Sequence, residues 1–118
     1  MNLKRGDVIL CRVPMPSEEL RQFKLRPAVV VSKDQNNFRL DDVIVAPCTS
    51  NVSRRTESTQ YLIEGDEIAQ TGIRVMSAVR CESLFTINKT MVLKVLGELS
   101  DKGRSRVNVC LRDALSLS

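Results

Sequence analysis

The chain has 118 residues, of which 42% are hydrophobic and 27% are charged. This balance is typical of one globular domain over residues 1–118 and argues against a disordered chain. The 18 Lys and Arg residues against 14 Asp and Glu residues give a formal net charge of +4, an excess that permits a polyanionic partner without requiring one. The absence of histidine excludes Ser-His-Asp catalysis, Cys-His catalysis and the two-histidine scheme that cleaves RNA.

The cysteine pattern predicts a reduced protein interior and no metal site. The four cysteines lie far apart, without a C-x-x-C pair, and no histidine is available to complete a zinc site. We therefore expect neither a metal nor another cofactor. Each cysteine has apolar neighbours, which indicates buried thiols in a cytoplasmic protein. The first apolar run is broken by Arg12 and is therefore too short for a signal peptide. No segment approaches the roughly 20 apolar residues of a membrane span.

Short apolar runs bounded by turn residues predict the β-strands of the chain. In chain order the runs are Asp7–Val13, Ala28–Ser32, Asp42–Thr49, Thr59–Ile63, Gly72–Glu82 and Thr90–Leu99. Pro27 marks the start of the second run, because proline has no N–H for the ladder. Gly97 indicates a bulge or bend near the end of the last run.

The pattern changes to a helical one after Leu99. Ser100 and Asp101 predict an N-cap and an acidic first turn, and apolar residues follow at helical spacing at Val107, Cys110, Leu111, Ala114 and Leu115. Many short strands followed by one helix predict a mainly β (α+β) fold, namely a small antiparallel β-barrel with a C-terminal α-helix.

Arg26 is the first candidate for chemistry, since it stands before Pro27 at the predicted mouth of the barrel. A guanidinium is permanently charged, and its planar fork of donors matches a phosphate. A rim arginine paired with a loop carboxylate, such as Glu18 or Glu19, is the alternative. On position alone, the ion pair is the better explanation.

Hydroxyl residues and two polar loops offer further candidates. Thr49 and Ser50 follow the third run and can donate to a phosphate oxygen, although capping of the next turn is the commoner role. The segments Pro14–Leu25 and Ser50–Ser58 are long enough to be functional loops, and the second contains two adjacent arginines.

Arg80 and Glu82 form a possible acid–base or charge-stabilising pair. Side chains alternate along a strand, so these two residues are expected on one face, with Val79 and Cys81 on the other. A plain surface pair, worth under about 1 kcal/mol, would give the same pattern.

Taken in order along the chain, these segments resemble the MazF/PemK/Kid family of toxins of bacterial toxin–antitoxin systems. The resemblance covers nearly the whole chain from Gly6 onwards. It is carried by Gly6-Asp7-Val8, "RPAVVVS" at residues 26–32, "PCTS" at 47–50, "VRCE" at 79–82 and "LGELSD" at 96–101.

The resemblance implies an SH3-like barrel that forms a homodimer and acts as an mRNA interferase. Such toxins are similar in cleaving single-stranded RNA without a metal, by attack of the ribose 2′-OH on the adjacent phosphate. The products are a 2′,3′-cyclic phosphate and a 5′-hydroxyl. The resemblance also implies an antitoxin with an acidic C-terminal segment. Contact with DNA would be only indirect, through that antitoxin, and no membrane partner is implied.

The resemblance assigns catalytic positions to Arg26 and Thr49, with Thr49 holding the scissile phosphate. Arg80 and Glu82 match the Arg and Asp of a "VRCD" motif in the Kid-like branch, where Glu82 adds one methylene. The RNA-binding residues that it implies are Glu19, Phe23, Lys24, Ser50, Arg54 and Arg55.

Two other functions remain open at the level of sequence. One is a barrel that binds RNA or DNA without cutting it, and the other is an interaction module whose groove binds a partner peptide. The joint presence of Arg26, Thr49 and Arg80 favours the enzyme.

Overall fold

The structure is a computed structural model that describes residues 1–15, 22–52 and 57–118. The described residues form seven strands and three α-helices. The strands are β1 (Asp7–Met15), β2 (Gln22–Val30), β3 (Asp42–Thr49), β4 (Gln60–Ile63), β5 (Ser77–Arg80), β6 (Phe85–Asn88) and β7 (Val92–Glu98). The helices are α1 (Asp34–Arg39), α2 (Glu67–Thr71) and α3 (Asp101–Ala114).

The strands form one antiparallel sheet in the order β4-β5-β3-β2-β1-β7, with β6 paired to β3. The antiparallel architecture and the C-terminal helix confirm the predicted fold class. Closure of the sheet into a complete barrel is not observed, because the two end strands β4 and β7 do not pair in the described part of the chain. None of the described helices is long and apolar enough to cross a membrane.

Both faces of the sheet bury apolar side chains. Along β1, Val8 belongs to one core cluster, whereas Ile9 and Cys11 belong to the other, as alternation along a strand requires. Helix α3 covers the first cluster with Val107 and Cys110. Helix α3 therefore packs on one face of the sheet, while the second cluster is formed mainly by residues of the strands themselves.

The cysteines are free and buried, as predicted. Burial raises the pKa of the Cys11 thiol to about 11 and the pKa values of Cys48 and Cys81 to about 12. Burial also raises the pKa of Cys110. These thiols are therefore protonated at neutral pH and pack as small apolar groups.

Pro27 does not mark the start of β2, which begins five residues earlier at Gln22. The ladder with β1 already includes the pair of Met15 and Gln22, whereas β3 joins β2 only from Ala28 onwards. Pro27 therefore sits where β2 passes from one neighbour to two, and a missing N–H is tolerated on the side that is still free.

The prediction of one long strand over Gly72–Glu82 is wrong. Helix α2 ends at Gly72, whose φ of 76° is the left-handed conformation of a helix C-cap. A loop follows, β5 covers only four residues, and Cys81–Ser83 form a 3-10 turn. Helices α1 and α2 and strand β6 had no recognisable signal in the sequence, because each is only four to six residues long.

Helix α3 begins as predicted, with the Ser100 hydroxyl accepting a 3.0 Å hydrogen bond from the Gly103 N–H. Val107 and Cys110 are buried, and Leu111 and Ala114 pack against their cluster. Leu115 departs from the predicted apolar face, because it follows the last helical residue and is 53% exposed.

Candidate nucleic-acid interface

A groove of about 470 Å³ crosses the sheet between β7 and the end of β3. Lys94 of β7 is opposite Leu10 of β1, and Leu10 is opposite Pro27 of β2. Pro27 and Cys48, each one residue beyond the end of the β2–β3 ladder, also line the groove. The floor of the groove is therefore a row of residues that runs across four strands, and most of its members are apolar.

The charges of this groove are all positive among the described residues. Its ionisable lining groups besides Cys48 are Lys24, Arg26, Arg74 and Lys94, with no carboxylate. No described residue forms a salt bridge or a hydrogen bond with these four side chains. Unpaired charges of one sign in a cleft focus a positive potential, so the groove is suited to a polyanion.

Arg26 lies inside β2, opposite Cys11, and not at a loop–strand junction as expected. The β2–β3 ladder ends at the pair of Ala28 and Pro47, so Arg26 lies two residues beyond that end on β2 and Thr49 two residues beyond it on β3. Both side chains are half-buried. Both residues therefore lie just beyond the same end of this ladder, although they are 23 positions apart in the sequence.

Thr49 has the turn-capping role that residue type alone favoured, because its Oγ1 accepts a 3.2 Å hydrogen bond from the Asn51 N–H. Its hydroxyl proton remains available to donate. Thr49 pairs with Ala78 in β5, and Arg80 lies two residues further along that strand. Since opposed residues and alternate residues share a face, Thr49 and Arg80 project from one face of the sheet, whereas Cys48, which lines the groove, projects from the other.

Arg80 and Glu82 contact each other, as predicted, although Glu82 lies in the 3-10 turn after β5. Arg80 Nε donates to Glu82 Oε2 at 3.2 Å. Two further donors hold the same carboxylate: Gln60 Nε2 at 2.7 Å from Oε2 and Thr59 Oγ1 at 3.2 Å from Oε1. The expected burial of Val79 and Cys81 is confirmed.

The hydrogen bonds around Glu82 determine its acidity. Partial burial raises the pKa of this carboxyl, but the bond from Gln60, a backbone hydrogen bond at Glu82 and the bonds from Arg80 and Thr59 together lower it more, so the net pKa lies below the usual range. Glu82 is therefore ionised at neutral pH, and it is a weaker base than an unbonded glutamate.

The groove gathers only part of the predicted site. Lys24, Arg26 and Ser50 line it, whereas Thr49, Arg80 and Glu82 are absent from its described lining. Glu19, Arg54 and Arg55 lie outside the described residues, and so does the side chain of Phe23, whose backbone belongs to β2. In the described part of the chain, no group of three or more His, Cys, Asp or Glu side chains could hold a metal ion.

Arg74 and Lys94 are groove residues that the sequence reasoning missed. The available signals were weak: Lys94 interrupts an apolar run, and Arg74 lies two residues after a glycine. The contact between α2 and β7 positions both of them. A Cβ on Gly97 would overlap the Gln70 carbonyl oxygen, and one on Gly72 would overlap the carbonyl of Leu96. The two backbones thus meet directly beside the groove.

Comparison with known proteins gives a consistent result. Residues 4–115 match the model of a family described as "PemK-like, MazF-like toxin of type II toxin-antitoxin system". The chain is 29% identical to "Endoribonuclease MazF" of Staphylococcus saprophyticus, over 98% of this chain and 92% of that protein. It is 30% identical to "Probable endoribonuclease MazF5" of Mycobacterium tuberculosis, over 97% of this chain and 94% of that protein.

Solved structures share the fold at lower identity. An endoribonuclease from a mycobacterial species superposes with a TM-score of 0.76 at 23% identity, covering 99% of this chain and 94% of that one. A mycobacterial endoribonuclease in complex with its cognate antitoxin gives 0.75 at 23% identity, with 97% and 95% covered. A MazE–MazF structure from Deinococcus radiodurans gives 0.78 at 17% identity, with 100% and 99% covered.

Proposed function

This chain belongs to the PemK-like, MazF-like toxins of type II toxin–antitoxin systems, and from that membership we propose that it is a metal-independent endoribonuclease. Its substrate is single-stranded RNA, chiefly mRNA, cut at short sequence motifs. The observation that carries the proposal is the groove whose four described charged side chains are all cationic and unpaired. The activity named for its relatives supports the same function.

The reaction is an intramolecular transesterification. The ribose 2′-OH loses its proton to a base, and its oxygen forms a bond to the adjacent phosphorus. The bond from phosphorus to the 5′-oxygen of the next nucleotide breaks, and that oxygen takes up a proton. The products are a 2′,3′-cyclic phosphate and a 5′-hydroxyl, and no water or metal is consumed.

Arg26, Thr49 and Arg80 stabilise the charge that develops on the phosphate oxygens. Preorganised donors at the site of developing charge supply a large share of catalysis, and two guanidiniums and one hydroxyl from neighbouring strands provide such donors. Arg26 contributes by stabilising the transition state. Proton donation to the leaving oxygen is a poor role for it, since a guanidinium keeps its proton at neutral pH.

The base is a carboxylate, and Glu82 is the described candidate. It is ionised and within reach of Arg80, but its lowered pKa reduces its affinity for the 2′-OH proton. Glu18 and Glu19, which lie outside the described residues, are the alternatives. Lys24 and Ser50 bind RNA from the groove wall, and we assign the same role to Glu19, Phe23, Arg54 and Arg55.

The partners follow from the proposed family role. The toxin acts as a homodimer in the cytoplasm, as a single domain over residues 1–118, and is held inactive by a cognate antitoxin whose acidic C-terminal segment is attracted to a chain of net charge +4. DNA is reached only through that antitoxin. Co-purification with the protein encoded next to it tests this partnership.

The direct test is incubation of the purified protein with a mixed-sequence RNA in EDTA. We expect cleavage by the native protein and a loss of about 100-fold or more in Arg26→Ala, the size typical of removing one such donor. Arg112→Ala, on the exposed side of α3, is the matched control and is expected to cut normally. Intact RNA with a correctly folded native protein would refute the enzyme and leave a binding barrel.

A further inference from the structure

We propose that Arg74 and Lys94 form a second phosphate-binding subsite, which holds an RNA phosphate other than the one that reacts beside Arg26. This inference rests on the proposed function and adds to it the path of the RNA strand. Neither residue belongs to the motifs that identify the family in this sequence, and they come together only in the fold.

The contact between α2 and β7 places the two cations near each other. Gly72 and Leu96 approach so closely that no side chain fits on the glycine. Arg74 lies two residues after Gly72, and Lys94 lies two residues before Leu96. Both side chains are exposed, both line the groove, and no described residue pairs with either of them.

The subsite is separate from the reacting position. Lys94 is opposite Leu10, which is opposite Pro27, the neighbour of Arg26. Two strand spacings amount to about 10 Å, and Leu10, which also lines the groove, lies on the strand between them. An RNA strand lying along the groove would therefore meet Arg26 at one position and Arg74 and Lys94 at another.

The composition of the groove floor supports a separate phosphate-binding subsite. Its described lining is aliphatic at Leu10, Ile73, Val75 and Leu96 and contains no aromatic side chain, so bases cannot stack there on aromatic rings. Phosphate contacts must then supply much of the affinity. Contacts far from the reacting bond hold substrate and transition state alike, and their loss raises KM while kcat is retained.

The test measures binding to a mixed-sequence RNA in which every ribose is 2′-O-methylated, because this RNA keeps its phosphates but lacks the attacking hydroxyl. We expect the Arg74→Ala/Lys94→Ala double variant to bind at least about tenfold more weakly than the native protein. Losing one phosphate contact should also make the slope of log K against log salt less negative by about 0.7. Lys102→Ala/Arg112→Ala, which removes two exposed charges of α3, is the matched control for net charge.

A second measurement uses cleavable RNA with the same variants. The double groove variant should raise KM about tenfold and change kcat less than about twofold, with an unchanged thermal unfolding midpoint. Affinity, salt slope and KM equal to those of the control variant would overturn the subsite while leaving the enzyme intact. A native protein that neither binds nor cuts RNA would instead overturn the proposed function.

Discussion

At the scale of single residues, Glu82 shows how a fold adjusts a sequence motif. The motif alone offered either a catalytic pair or a surface ion pair. The structure adds Gln60 and Thr59, which come from the neighbouring strand and the turn before it and donate to the same carboxylate as Arg80. These donors lower the pKa of Glu82, so the group acts as a fixed anion that orients Arg80 and as a weak base.

Gln60→Ala tests whether this carboxylate takes the 2′-OH proton. Removing the 2.7 Å bond should raise the pKa of Glu82, because a hydrogen bond to the ionised form lowers it. The acidic limb of kcat/KM, which reports the pKa of the essential base in the free enzyme, should then move to higher pH. An unmoved limb would leave Glu82 as the anchor of Arg80 and assign the base to the first loop. Gln35→Ala, on the exposed face of α1, is the control.

Tyr61 offers a second titration, and it is the only tyrosine in a chain without tryptophan. Its pKa lies well above the usual 10.0. The main cause is burial, followed by the hydrogen bond to Glu67 and the negative charges of Glu67 and Glu64. Because the folded-state pKa is raised, the stability that Tyr61 contributes is complete below pH 10 and is lost as pH rises above it. Ultraviolet absorbance of tyrosinate should show a midpoint clearly above pH 10, lowered in Glu67→Gln. A native midpoint near 10 would contradict the contact.

At the scale of secondary-structure elements, Glu67 connects α2 to α3. Its Oε2 accepts from the Ser100 N–H at 3.0 Å and from the Ser100 hydroxyl at 2.6 Å, while the same hydroxyl accepts from Gly103. A carboxylate at a helix N-terminus also interacts favourably with the helix dipole. The sequence predicted the N-cap correctly, but it gave no sign of the glutamate 33 residues earlier that completes it.

The contact between α2 and β7 can be tested with two glycines. In the register of β1 and β7, Gly97 pairs with Val8 while Val95 pairs with Ile9, which leaves Leu96 as the extra residue and confirms the predicted bulge. Gly97→Ala should destabilise the protein by about 2 kcal/mol or more, since the added methyl overlaps the backbone of α2. Thermal unfolding should then shift by roughly 8 °C or more.

Gly65→Ala is the matched control for Gly97→Ala. Gly65 has a φ of 62° but open space around it, so alanine there costs only the strain of the left-handed conformation, about 1 kcal/mol. Equal effects of the two substitutions would contradict the close packing of α2 on β7. A larger effect at Gly97, together with weaker RNA binding, would support the role of this contact in positioning the groove wall.

At the scale of the whole molecule, the sequence predicted the secondary-structure elements whose signals lie in neighbouring or regularly spaced residues. Strand β3 has the predicted bounds, and α3 begins at the predicted residue, because alternation and capping are encoded by neighbouring residues. Helix α2 was missed because it is a five-residue element whose end is set by contact with β7. The start of β2 was predicted wrongly at Pro27, because a proline is tolerated inside a strand where one edge is free.

The candidate site likewise contains residues that sequence motifs predicted and residues that only the fold brings together. Arg26, Thr49, Arg80 and Glu82 stand in motifs that could be recognised in order along the chain. Arg74 and Lys94 become groove residues only because β7 pairs with β1, which pairs with β2. That strand order is a property of the folded sheet, and no pattern within either segment encodes it.

The central claim is that this fold cleaves RNA by attack of the 2′-OH. The most direct measurement is analysis of the fragment ends after the native protein has acted on a long mixed-sequence RNA in EDTA. We predict fragments that carry 2′,3′-cyclic phosphates and 5′-hydroxyls, at a small set of sequence motifs, with few or none from Arg26→Ala. Fragments with 5′-phosphates, or intact RNA from a protein shown to be folded, would contradict the claim.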